Sequence, residues 1–201
     1  MLKSFHPTKR LLVETVMELM EPKSPREISA DEILSKSGIS KGSMYHHFTD
    51  LDELIETAQV ARFSKWVDVS ISNLGQILQN AKSKEDLINS LEVVTAATQS
   101  VSRRSSRIER ASALSRRNAS KNYYDLMGKE SDRLMDSLED LAREAQEKGL
   151  FSRKHNPRVI ALMVQAYTLG KIVDDYSHKP VSESDWNAII MDLIRNVFVE
   201  D

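Results

Sequence analysis

An all-α protein is what this chain of 201 residues predicts. Three observations predict it. Apolar residues recur at helical spacing along most of the length, serine, asparagine and acidic residues stand where helix starts need caps, and only six glycines and five prolines interrupt the rest. At 40% hydrophobic and 29% charged the chain can bury a sizeable core. The longest apolar run, Val159 to Val164, is too short to span a bilayer, and the segment from Met1 to Pro7 lacks the apolar centre of a signal peptide. With no cysteine, disulfides and thiolate metal sites are excluded. A cytoplasmic location without membrane association, cofactor or metal is the expectation. The net charge of −2 does not in bulk favour a nucleic-acid partner, so any such role must be argued locally.

Taken in order, Leu12, Val16, Leu19 and Met20 form the stripe of a first helix, opened by Pro7 and Thr8 and closed by Pro22 and Pro25. Ser29 and Glu32 form a capping box for a second helix, with Ile28 and Ile33 as its staple and Gly38 after its end. Ser40 caps a short third helix that carries Met44 and Phe48 on one face. Thr49 or Asp50 caps a fourth, running from Leu51 to about Asn80. Residues 8 to 48 therefore have the shape of a helix-turn-helix, two helices joined by a very short glycine-containing turn. Further helices are predicted over about 85–101, 108–119, 123–148, 157–176 and 185–199, about nine in all. Ser102 to Ser106 is the weakest stretch for regular structure. Residues 1–50 are expected to be one domain and residues 51–201 a second, helical one.

The third helix is unusual on its outer side. Beyond Met44 and Phe48 it offers Ser40, Lys41, Gly42, Ser43, Tyr45, His46 and His47, all small, basic or hydrogen-bonding. A major groove admits a helix whose outward face is slim and polar, and such side chains suit phosphate and base edges. From spacing alone a solvated helix in a bundle fits equally well.

The run Gly38-Ile39-Ser40-Lys41-Gly42-Ser43-Met44-Tyr45-His46-His47-Phe48 resembles the recognition segment of the TetR family of bacterial regulators. The first-helix stripe and Asp52-Glu53-Leu54-Ile55 sit where that family places them, so the resemblance covers roughly residues 8 to 58. Ala145 to Phe151, followed by Asn156-Pro157, resembles the lead-in to the family's eighth helix. The resemblance implies a regulator, in the family's usual manner a repressor, that binds a palindromic double-stranded DNA operator as a homodimer and is released by a small-molecule effector. It implies that Ser40, Lys41, Gly42 and Ser43 face the groove, that Tyr45 and His47 hold phosphates, that His46 points outward, and that Thr8 and Ser29 lie near the backbone. Two features depart from the family pattern. Asp50-Leu51-Asp52 stands where a phosphate-gripping lysine is usual, and the loop Glu21 to Glu27 is longer and lacks glycine. Lys3, Lys9, Arg10, Lys23 and Arg26 are the available substitutes.

The resemblance further implies that the last two helices pair with their copies, with Ala161, Gln165, Tyr167, Leu169, Val173, Ile189, Ile190, Leu193 and Val197 as interface candidates. The same apolar stripes also suit a monomer core. The fourth helix is the expected lever between domains. Phe63, Trp66, Tyr123, Tyr124, Met127, Met163 and Tyr167 are candidates for an apolar effector cavity. Between Arg103 and Arg117 six arginines face one glutamate, and Arg107 and Arg110 share a helical face. A solvated basic face explains this run, and arginine forks holding an anionic effector are the sharper alternative. No GxSxG, SxxK, HExxH, GxGxxG or P-loop is present, and an enzyme is not expected. The competing reading is a non-catalytic helical adaptor for protein partners.

Overall fold

The computed structural model describes residues 2–199, all helices and connections, with no strand among them. The side chain of Lys3 lies outside the described residues. Ten α-helices follow in order: α1 (Pro7–Leu19), α2 (Ala30–Ser37), α3 (Lys41–His47), α4 (Leu51–Asn80), α5 (Lys84–Gln99), α6 (Arg104–Leu114), α7 (Lys121–Glu147), α8 (Pro157–Gly170), α9 (Ile172–Asp175) and α10 (Glu183–Leu193). Only Lys171 separates α8 from α9, so counting that pair as one helix gives the expected nine.

The starts are made by the predicted side chains. Ser29 accepts the Glu32 N–H at 3.3 Å, and Ser40 accepts the Ser43 N–H at 3.2 Å. Asp50 caps α4 by accepting the Glu53 N–H at 2.8 Å, while the Glu53 carboxylate reaches back to the Thr49 N–H at 2.7 Å. Gly38 takes φ 70°, the left-handed geometry that ends α2 and makes the turn into α3 sharp. Two details differ from the sequence reading. The Glu32 carboxylate pairs with Lys23 at 2.5 Å, fastening the loop after α1 to α2. And α6 begins at Arg104, inside the serine-rich stretch that looked weakest, because a 3₁₀ turn at Val101–Arg103 leads into it. The last helix continues past α10 as a π-helical segment over Ile194–Val199, reaching the end expected from the sequence.

The chain divides into two compact units. The first holds the residues up to Asp68 together with Arg116–Glu130; the second holds Val69–Ser115 and the residues from Ser131 onward. In the first, Leu12, Val13 and Val16 of α1, Ile33 of α2, Met44 of α3, Phe48 just past its end and Leu54 and Ala58 of α4 form one buried cluster. In the second, Ile88 of α5, Ala142 of α7, Ile160 of α8 and Ile190, Met191, Ile194 and Phe198 of the C-terminal segment form another. Leu78, Leu87, Ala145 and Leu150 add a third.

A polar seam runs through the second unit beside these apolar clusters. Arg107 on α6 is wholly buried. Its Nε and Nη2 donate to the two carboxylate oxygens of Asp175 on α9, both at 2.7 Å. Its Nη1 donates to the carbonyls of Thr98 and Ser100 at the end of α5, at 3.1 and 3.0 Å. One guanidinium thereby ties α6 to α5 and α9 through four hydrogen bonds. Nearby, the Trp186 indole N–H donates to Gln99 at 3.2 Å, and Lys171 pairs with Asp174 at 2.5 Å.

Replacing Arg107 by methionine strands a buried carboxylate and two carbonyls. Urea unfolding should show a loss of about 3–5 kcal/mol. Pairing it with Asp175→Leu should restore only part of that loss, because the carbonyls of Thr98 and Ser100 remain unserved.

Candidate nucleic-acid interface

The candidate interface is built on α3, seven residues long and too short to be stable alone. Met44 and Phe48 bury themselves among Leu12, Val16, Ile33 and Leu54, which fixes the helix and sets its rotation. The rotation leaves Lys41, Gly42, Tyr45 and His46 exposed, with Ser43 and His47 half-buried; Tyr45 is 45% exposed. A Cβ placed on Gly42 would meet nothing within 4 Å, so the narrow strip beside it is open.

At one end of this face lies an imidazole cluster. The His6 ring stacks on the His47 ring, centroids 5.1 Å apart and planes 29° from parallel, and His46 meets His47 edge-on at 5.2 Å. His6 is the cap of α1, its Nδ1 accepting the Thr8 N–H at 3.3 Å. Lys9 holds its ammonium 4.7 Å from the Phe48 ring centre and 5.3 Å from that of Phe5. Burial, followed by the neighbouring His46, His6 and Lys9, pulls the His47 imidazole below its ordinary value. The adjacent pairs Phe5-His6 and His47-Phe48 stand in the sequence. Nothing in it placed residue 6 against residue 47.

The other expected interface residues are distributed as follows. Thr8 is half-buried in the first turn of α1, and the Ser29 and Ser40 hydroxyls are engaged as caps. Lys23 is paired with Glu32 and Arg10 with Glu14 at 4.0 Å, while Lys9 lies in the first turn of α1 and Arg26 in the loop after it.

The expected effector residues are divided between the two units. Phe63, Trp66, Tyr123, Tyr124 and Met127 lie in the first unit; Arg107, Arg110, Met163 and Tyr167 lie in the second. Phe63 and Trp66 stack at 5.5 Å. Tyr123 is buried beneath the Arg116 guanidinium, and burial pushes its hydroxyl up to about 12. Tyr124 is half-exposed and donates to the Arg116 carbonyl at 2.9 Å. Arg116 also reaches Glu56 at 3.4 Å, whose carboxylate accepts the Ser120 N–H at 3.1 Å and the Ser120 hydroxyl at 2.5 Å. Met163 faces solvent.

The expectation for Arg107 is corrected here. Its donors are consumed by Asp175 and two carbonyls, so it is a strut of the second unit and not an anion receptor. Arg110 is half-buried, its guanidinium pulled down to about 10 by burial and by Arg107. Tyr167 shares a hydrogen bond with Thr95, and burial pushes its hydroxyl up to about 12. Thr95 and Gln99, both buried on α5, were missed by sequence reading, since two isolated polar residues on a helix give no signal until Tyr167 and Trp186 are packed against them.

The interface candidates on the last helices separate into two sets. Ala161 and Ile190 are buried in their own chain, and Gln165, Leu169, Leu193 and Val197 are half-buried. The apolar surface left outside is Val159, Leu162 and Met163 on α8, Val173 on α9 and Ile189 on α10. Leu162, Val173 and Ile189 are 56%, 79% and 59% exposed.

No family model matches this sequence, and no curated protein matches it. Solved structures match nearly its whole length, and they share one class of fold, that of the TetR regulators. One is a chain assigned to the TetR-family regulators from Mesorhizobium loti MAFF303099, 15% identical with a TM-score of 0.70 over 96% of this chain and 97% of that one. A Saccharomonospora viridis regulator solved with choline is 18% identical, with a TM-score of 0.69 over 96% and 98%. E. coli NemR in its reduced form is 17% identical, with a TM-score of 0.67 over 98% and 100%. The all-helical architecture expected from the sequence is thus the observed one, and it is the fold of these regulators.

Open space at Gly42 yields a stability prediction. Gly42→Ala restricts the unfolded chain and creates no clash, so it should stabilise the protein by about 0.5 kcal/mol, read as a higher urea midpoint.

Proposed function

We propose that this protein is a dimeric DNA-binding transcriptional repressor whose α2–α3 pair docks in the major groove. The observation that carries this reading is the two-faced α3. Its buried face is Met44 and Phe48, and its open face is Lys41, Gly42, Tyr45 and His46. Ser40, Lys41, Gly42 and Ser43 are the groove-facing residues in this reading, and Tyr45, His46 and His47 lie toward the backbone. Thr8 and Ser29 flank them at the starts of α1 and α2. A solvated bundle helix tolerates glycine, serine and paired histidines there, whereas close approach to base edges requires such a slim polar face.

A single short helix spans only a few base pairs, so the reading requires two copies, with half-sites about 34–36 Å apart. The exposed Val159, Leu162, Met163, Val173 and Ile189 give the second copy a surface. This revises the interface to those residues, with Gln165, Leu169, Leu193 and Val197 at its margin. The second unit is the candidate effector-binding part. Its buried Gln99 amide nitrogen has no hydrogen-bond partner among the described residues, and a ligand acceptor would complete it. The choline held by the Saccharomonospora viridis protein supports a small-molecule effector for a chain of this fold. Release then follows by population shift, the ligand favouring a spacing of the two reading helices that no longer fits successive grooves.

A mobility-shift titration with duplexes from the region upstream of the gene tests the DNA reading. Binding should weaken with salt at a log–log slope steeper than about −4, as phosphate contacts release counterions. Gly42→Leu should abolish binding while circular dichroism stays unchanged, since nothing inside the chain resists the added side chain. Salt-insensitive binding, or none to any duplex, would favour a protein-binding adaptor instead. Leu162→Glu combined with Ile189→Glu should halve the mass measured by light scattering, from twice 22.8 kDa to 22.8 kDa.

A further inference from the structure

We infer that His6 and His47 form one phosphate-binding pair on the DNA-facing surface, docking on the duplex backbone with uptake of a single proton by His47. The inference rests on the DNA-binding reading and adds to it a residue, His6, and a proton that the family resemblance does not assign.

The geometry makes the two rings a unit. They stack at 5.1 Å and 29°, one at the start of α1 and the other in the last turn of α3. His6 is fixed in place by its own role, its Nδ1 accepting the Thr8 N–H at 3.3 Å as the cap of α1. The titratable and charged groups acting on His47 are His46 from its own helix, and His6 and Lys9 from the start of α1. None of them brings a negative charge. In the free protein the His47 imidazole accordingly sits below its ordinary value and is neutral near pH 7.

A backbone phosphate supplies the missing counter-charge. Beside it the protonated ring is favoured by an ion pair, the stacked His6 fixes where that ring lies, and Lys9, steadied over Phe48 and Phe5, adds a cation facing the same anion. The sign follows from the two states. His47 binds the proton more tightly in the complex than in the free chain, so complex formation takes up a proton and tightens as pH falls. The effect lies between the free and the bound value of this one group and is lost as pH rises above the bound value.

The test is fluorescence anisotropy with a labelled mixed-sequence duplex at constant low ionic strength from pH 6 to 8, because phosphate contacts are common to specific and non-specific binding. The dissociation constant of the natural sequence should tighten several-fold from pH 7.5 to 6.5, and by no more than about tenfold, the limit for one proton over one pH unit. His47→Gln should flatten that dependence. His6→Asn, which keeps a cap acceptor but removes the ring, should weaken it, and His155→Gln, an exposed histidine of the second unit, should leave it intact. Independently of any variant, the His47 Cε1–H resonance should titrate at higher pH with duplex than without. Strong duplex binding at pH 7.5 with no pH dependence, a dependence that survives in His47→Gln, or an unmoved His47 titration would each overturn this inference and leave the DNA reading standing. Absence of binding to any duplex at any pH would overturn both.

Discussion

Burial of Met44 and Phe48 is the constraint on which the candidate interface depends. A helix of seven residues has too few internal hydrogen bonds to offset the cost of its own nucleation, so α3 exists because tertiary packing holds it. Each of these two side chains contributes about 1.5–3 kcal/mol of transfer free energy on full burial. They stand four residues apart, which puts both on one face and commits the other to solvent. The exposure of Lys41, Gly42, Tyr45 and His46 is therefore a consequence of where Met44 and Phe48 go. Serine caps at Ser29 and Ser40 and the left-handed Gly38 then fix the angle at which α3 leaves α2.

The second unit uses a different kind of fastening. Its apolar clusters are non-directional and tolerate sliding between helices, while a guanidinium with four defined partners does not. Arg107 holds α6 at the end of α5 and beside the α8–α9 break, where the chain changes from buried Lys171 to exposed Val173. A buried ion pair of this kind adds little net stability over a well-packed apolar substitute, and its main effect is to specify one arrangement. That suits a unit which, in the proposed function, must convert ligand occupancy into a discrete shift.

Much of this was legible in the primary structure because it depends on short-range spacing. Capping residues, the turn glycine and the apolar stripes of α1, α2 and α4 act within a few positions of themselves, so their pattern survives in one dimension. The slim face of α3 was readable for the same reason. The start of α6 was not, since its entry through a 3₁₀ turn leaves no periodic signal among Ser102, Ser105 and Ser106. The interface residues of α8 and α10 were only partly readable, because a helix apolar on more than one side does not say which side its own core will take. Ala161 and Ile190 went inward, while Leu162 and Ile189, one position away in each case, stayed outside.

By itself the sequence determined an all-helical chain, the places where its first helices begin and end, and which residues α3 offers outward. Tertiary structure alone decided that Arg107 serves Asp175 in place of a ligand, that His6 lies on His47, and that Thr95 and Gln99 meet Tyr167 and Trp186. Local elements are encoded by spacings of three or four residues. These pairings join positions 41, 68, 72 and 87 residues apart, and only chain folding brings such partners within reach.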